Sequence, residues 1–145
     1  MSGNSHYDII ERVIERLKAM DLDPVSPNMI YAAEFPFGRT IAPGIACSEI
    51  TESEGAGTNE RDDFMYGVML TRIFGGGGHG DYKKDLSRWR QKVRAELHRK
   101  RIGNIDHEIV TKVSPGRIRL SREWQNAGVD ASVMEVWTWV REPRA

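Results

Sequence analysis

Residues 64–74 are apolar on both of their alternations, and that property narrows the fold more than any other in the chain. Phe64, Tyr66, Val68, Leu70 and Phe74 fall on one face of an extended strand, interrupted by Arg72. Met65, Gly67, Met69 and Ile73 fall on the other, with Thr71 as its polar member. A strand with two apolar faces belongs near the centre of a sheet, covered on both sides. The glycines at 75–78, with His79 and Gly80, end it, because successive glycines hold no single conformation by themselves. Asp81 then stands where an N-cap should, and Tyr82, Leu86, Trp89, Val93 and Leu97 recur at helical spacing. The pattern predicts a helix over 81–101, stopped at 102–104 with Gly103 as its C-cap, lying across an antiparallel or mixed sheet.

The remaining elements fit around this unit. Ser5 followed by Asp8 is a capping box with Asp in place of Glu, and Ile10, Val13, Ile14 and Leu17 make the apolar stripe of a helix running to about Met20. Its apolar face suits its own sheet better than a partner. Pro24, Pro27, Pro36 and Pro43 dissolve the pattern over 23–44, leaving an extended segment with a short strand near 29–33. A strand is expected over 45–51. Residues 52–62, ESEGAGTNERD, read as a polar acidic loop, either decoration or a contact device. Residues 107–113 and 117–124 are strand candidates around the turn dipeptide Pro115-Gly116, with another turn over 125–130. A long strand over 131–141 carries large side chains on both faces and is read as central. The whole is an α+β fold of about four to six strands with two main helices, in a single domain over 1–145, a length that supports one core.

Hydrophobic residues at 39% with four Trp indicate a soluble, globular chain. The formal net charge of zero conceals an asymmetry. Residues 1–63 hold 12 acids and 5 bases, whereas residues 81–101 hold 9 bases and 3 acids. Such a chain can bind itself head to tail as readily as it binds nucleic acid. The single Cys47 forms no internal disulfide, which fits a reducing compartment. No secretory leader and no membrane span are expected, so synthesis is placed in the cytoplasm.

No constellation points to catalysis. GGGGHGD precedes a helix, but the spacing is not GxxxxGK[ST], and the helix opens with an acid that repels phosphate. His6, His79, His98 and His107 lack metal-ligand spacing, so neither metal nor cofactor is expected. On a helical wheel Lys84, Arg88, Lys92 and Arg99 lie opposite the apolar stripe. That face lacks the aromatic interleaving of single-strand binders and any recognition-helix motif. A solvated or protein-bound face is the better account, and any DNA binding should be weak and salt-dependent. The candidate subunit interface therefore sets Glu52, Glu54, Glu60, Asp62 and Asp63 against Lys84, Arg88, Lys92 and Arg99.

The order of features is an amphipathic helix, a strand, an acidic loop, the strand DFMYGVMLTRIF, the basic helix YKKDLSRWRQKVRAELHRK, and closing strands ending in ASVMEVWTWVRE. Over about residues 5–142 it resembles the tail terminator, or tail-completion, proteins of long-tailed bacteriophages and related particles. The resemblance implies a non-enzymatic virion protein. Its copies would form a ring, a hexamer in that family, at the head–tail junction. The implied partners are the tail tube protein, the head-side connector or stopper protein, and genomic DNA passing through the lumen without specific binding. The proline-rich segment and the strand pair around Pro115 depart from that order. A head–tail adaptor or stopper therefore stays open as an alternative, and a small nucleic-acid-binding module is a further one.

Overall fold

Strands rich in large apolar residues on both alternations have to find each other, and here two of them do. The computed structural model describes residues 5–22, 25–33, 44–54, 61–74, 82–114, 117–119 and 130–143. Strand β3 (Arg61–Phe74) and strand β6 (Asp130–Pro143) pair antiparallel without a break, from Arg61 opposite Pro143 to Phe74 opposite Asp130. They form the middle of a mixed six-stranded sheet. Strand β2 (Gly44–Glu54) runs antiparallel to β3, and the short β1 (Ile30–Ala32) runs parallel to β2. On the other flank of β6 lie β4 (Glu108–Val113) and β5 (Arg117–Arg119). The order is β1-β2-β3-β6-β4, with β5 also against β6.

The described strands β4 and β5 are therefore not folded back on each other as a hairpin pair. Val113 opposes Val136, Ser114 donates its N–H to the Glu135 carbonyl, and Arg117 opposes Val133. β4 and β5 thus run in the same direction along one edge of β6. Residues 120–129, including the rest of that strand candidate and the turn after it, lie outside the described residues, as do Asp81 and the glycine run.

Both helices cover one face of the sheet. Helix α1 (His6–Ala19) begins with the expected box, in which the Ser5 hydroxyl accepts from Asp8 N–H at 3.1 Å and the Asp8 carboxylate accepts from Ser5 N–H at 3.1 Å. Hydrogen bonding from Ser5, its backbone N–H first and its side chain second, holds the Asp8 carboxyl below its usual value. Ile9, Ile10, Val13 and Leu17 are buried, so the stripe is centred slightly earlier than the spacing implied, with Ile14 at its margin. Helix α1 packs on β1 and β2, and helix α2 (Tyr82–Leu97) packs on β4. Trp89, Val93 and Leu97 of α2 join Tyr66, Val68, Leu70, Met134, Val136 and Val140 in one core.

Three expectations are corrected. Helix α2 ends at Leu97 and does not run to Arg101, because Arg99 takes a left-handed conformation with φ of 60°. Gly103, at φ of +98°, serves the following turn and does not cap the helix. Strand β2 continues through Glu54 and β3 begins at Arg61, so Glu52, Glu54 and Asp62 belong to strands and not to a loop. The far face of the sheet is only partly closed. Met65, Met69, Trp137 and Trp139 are half-buried there, and the Trp137 ring lies directly over Gly67. A Cβ on Gly67 would stand 2.7 Å from that indole, which is why the centre of an otherwise bulky strand carries a glycine.

Candidate functional site

The acids and bases singled out in the sequence do not converge. Glu52 and Glu54 are exposed on β2, joined by Glu49, which the sequence reading passed over. Glu60 lies outside the described residues. Asp62 is half-buried at the start of β3, already engaged within the chain. Asp63 is not a surface group at all. Its fully buried carboxylate receives Arg141 Nε at 2.6 Å and Nη2 at 3.0 Å, a fork-to-fork pair between register partners on β3 and β6. That pairing removes Asp63 from any exposed acidic surface.

Arg141's hydrogen bond holds the Asp63 carboxyl below its usual value of 3.8, outweighing the opposing effect of burial. A carboxylate whose folded pKa is depressed stabilises the fold fully above its unfolded pKa, and that contribution is lost as pH falls through the folded pKa. Urea midpoints taken from about pH 6 down to about pH 2 should show wild type losing its advantage over Asp63→Asn at the acid end. Parallel pH profiles for the two proteins would count against the pair as an acid-sensitive contact.

On α2, Arg88 and Lys92 are exposed, and the side chain of Lys84 lies outside the described set. Lys92 is not fully free, since its Nζ donates to the Asp21 carbonyl just beyond α1. Arg99 is displaced from this face because the helix has already ended. It sits with Lys100 and Arg101 beside β4, a cationic corner completed by exposed Lys112. There Arg99 N–H donates to the Thr111 carbonyl at 2.7 Å, and Thr111 N–H donates to the Lys100 carbonyl at 2.8 Å. The His98 imidazole Nδ1 accepts from Val113 N–H at 2.9 Å. The outer edge of β4 is thereby closed to strand addition at these residues.

Two buried polar side chains missed in the sequence organise their surroundings. His6 places Nε2 2.8 Å from the Gly67 carbonyl, its ring edge-on to Tyr66. The other nitrogen faces Glu52 at 3.6 Å and Glu49 at 3.9 Å. Burial, then the charges of Glu142 and Glu52, push the Tyr66 hydroxyl up to about 12. Arg72, 2% exposed, lies on the central strand and donates to the Ile73 carbonyl.

Grooves open beside α1. One, of about 640 Å³, is lined by Tyr7, Ile10, Ala32, Ala33, Cys47, Glu49 and Ile50. Its only sulfur nucleophile is fully buried, and burial pushes the Cys47 thiol up to about 12, so the thiolate is scarce at neutral pH. Among the described residues no three His, Cys, Asp or Glu side chains are placed to share a metal ion, and no helix is long and apolar enough to cross a membrane.

Comparison with known proteins defines the fold and stops there. No family model matches the chain, and no curated protein matches it. Among solved structures, a chain from the structure titled "Virion of native gene transfer agent (GTA) particle" superposes with a TM-score of 0.59 at 13% sequence identity, covering 89% of this chain and 91% of the other. The chain shares that fold over nearly its whole length.

Proposed function

We propose that this protein is a structural virion component that forms a ring at the head–tail junction, capping the tail tube and joining it to the head-side connector. The observation that carries the reading is the likeness, over nearly the full length of both chains, to a chain from a gene transfer agent virion. The split of charge along the sequence supports self-association. In this reading the protein is not an enzyme and needs no cofactor. It is made in the host cytoplasm, ends in the virion as a hexameric ring, and lets DNA through its lumen without reading its sequence. Glu52, Glu54, Glu60 and Asp62 remain interface residues in this proposal, together with Lys84, Arg88, Lys92 and Arg99. The test is copy number and location. Quantitative mass spectrometry and electron microscopy of purified particles should find several copies per particle at the neck, and particles lacking the chain should show unjoined heads and tails. One copy per particle, or a location at the distal tip, would overturn the ring at the junction.

A further inference from the structure

The two charged flanks of the molecule lie on opposite edges of one sheet. Strand β2 carries Glu49, Glu52 and Glu54, all exposed, and no base between Gly44 and Glu54. On the neighbouring helix Arg12 and Glu15 neutralise each other at 2.7 Å. At the far edge, Lys112 on β4 and Arg99, Lys100 and Arg101 beside it are exposed, with Lys100 Nζ donating to the Ala95 carbonyl at 2.8 Å and Arg101 Nε to the Ile109 carbonyl at 3.5 Å. Of the nearby acids, Glu108 is buried and accepts from the backbone N–H groups of Ile102 and Gly103, whereas Asp106 is exposed and already engaged within the chain. The strand order places three interstrand spacings between the flanks, about 14 Å. That exceeds a screening length of about 8 Å at physiological salt, so neither flank neutralises the other within one protomer.

We propose that the flanks meet between copies, the β2 edge of one protomer against the Arg99–Lys112 corner of the next. This rests on the ring reading and names its lateral contact. The pairing is heterologous, with a different surface on each side, so it propagates head to tail and closes into a ring when the rotation permits. The contact is made by side chains and not by strand addition, because Thr111 is already bonded to the backbone of Arg99 and Lys100 and the Val113 N–H is taken by the His98 imidazole.

Charge reversal tests this, because a heterologous contact obeys a pairing rule. Glu52→Lys/Glu54→Lys makes both edges basic, and Arg99→Glu/Lys112→Glu makes both acidic. Sedimentation velocity at low salt should show wild type assembling and each reversed protein needing at least about tenfold more protein to do so, with far-UV circular dichroism unchanged. An equimolar mixture of the two, and a chain carrying all four changes, should assemble within about threefold of wild type. Assembly of either reversed protein at the wild-type concentration overturns the contact while leaving the ring reading standing. So does failure of both the mixture and the fourfold variant to recover. A wild type that stays monomeric also overturns the contact, and copy number in particles then decides the ring separately.

Discussion

Replacing Trp89 by Ala should cost about 3–5 kcal/mol, the usual range for deleting a large aromatic from a core. The indole is 4% exposed, and with Val93 and Leu97 it forms the stripe that seats α2 among Val113, Val136 and Val140. A domain of this size has about 5–15 kcal/mol in total, so the variant should unfold at a much lower denaturant concentration. Trp89→Phe separates packing from polarity. The indole N–H is buried without a hydrogen-bond partner, and Phe removes that uncompensated donor while keeping most of the ring. The expected order of midpoints is wild type near Phe, with Ala far below. If Trp89→Ala shifts the midpoint no further than exposed Arg88→Ala does, α2 is not docked through this face.

The burial of Trp89 is legible in the sequence. A helical stripe is a local property: Trp89, Val93 and Leu97 follow one another at fixed spacing whatever the rest of the chain does. The Ser5–Asp8 box is local in the same sense, and both formed. The two central strands were legible because each alternation of β3 and β6 carries apolar residues, which leaves few places for them except beside each other. What the sequence did not disclose is register. Asp63 looked like one member of an acidic run until β3 paired with β6 and set it opposite Arg141, 78 residues away. Glu52 and Glu54 looked like loop until β3 extended β2 by pairing with it. The collinearity of β4 and β5 is likewise a property of β6, invisible in the Pro-Gly dipeptide that separates them. Aligning the ends of the two strands read from the sequence, 64–74 and 131–141, would set Phe64 opposite Arg141, one residue away from the Asp63 pairing that forms.

Buried polar groups were the other blind spot, since hydropathy patterns assign them to the surface. His6 reaches Gly67 across 61 residues, and Arg72 occupies a position where the alternation calls for an apolar side chain. The candidate interface suffered for the same reason. Arg99 was placed on a helix face by extrapolating a periodicity two residues beyond Leu97, where α2 ends, and Arg99 is itself the residue at which the backbone turns left-handed.

Glu108→Ala should be the most damaging single change on the α2–β4 side outside the apolar core, at about 2–4 kcal/mol. The segment from Arg99 to His107 is expensive to hold. Arg99, Asn104 and His107 are non-glycine residues at φ of 57–60°, a conformation that costs about 1–2 kcal/mol for an L residue. Glu108 is what gathers that segment against the sheet. One carboxylate oxygen accepts from the buried Ile102 N–H at 2.6 Å, and the other accepts from Gly103 N–H at 3.0 Å. Thr111 adds a weaker donor at 3.4 Å and links onward to Thr138 at 3.1 Å. Truncation to Ala removes both acceptors and leaves the Ile102 N–H buried with no partner, the asymmetric case in which a lost hydrogen bond carries its full desolvation penalty. Glu108→Gln retains one carbonyl acceptor without the charge and should fall between the two. Because the same turn presents Arg99, Lys100 and Arg101 beside β4, Ala should also disperse the basic corner. The measurement is hydrogen exchange at Ile102 and Gly103 beside the denaturant midpoint. Faster exchange at both amides with a lower midpoint is expected for Ala and partial effects for Gln. Unchanged protection of both amides in Glu108→Ala would show that the turn is held by its own backbone and not by this carboxylate.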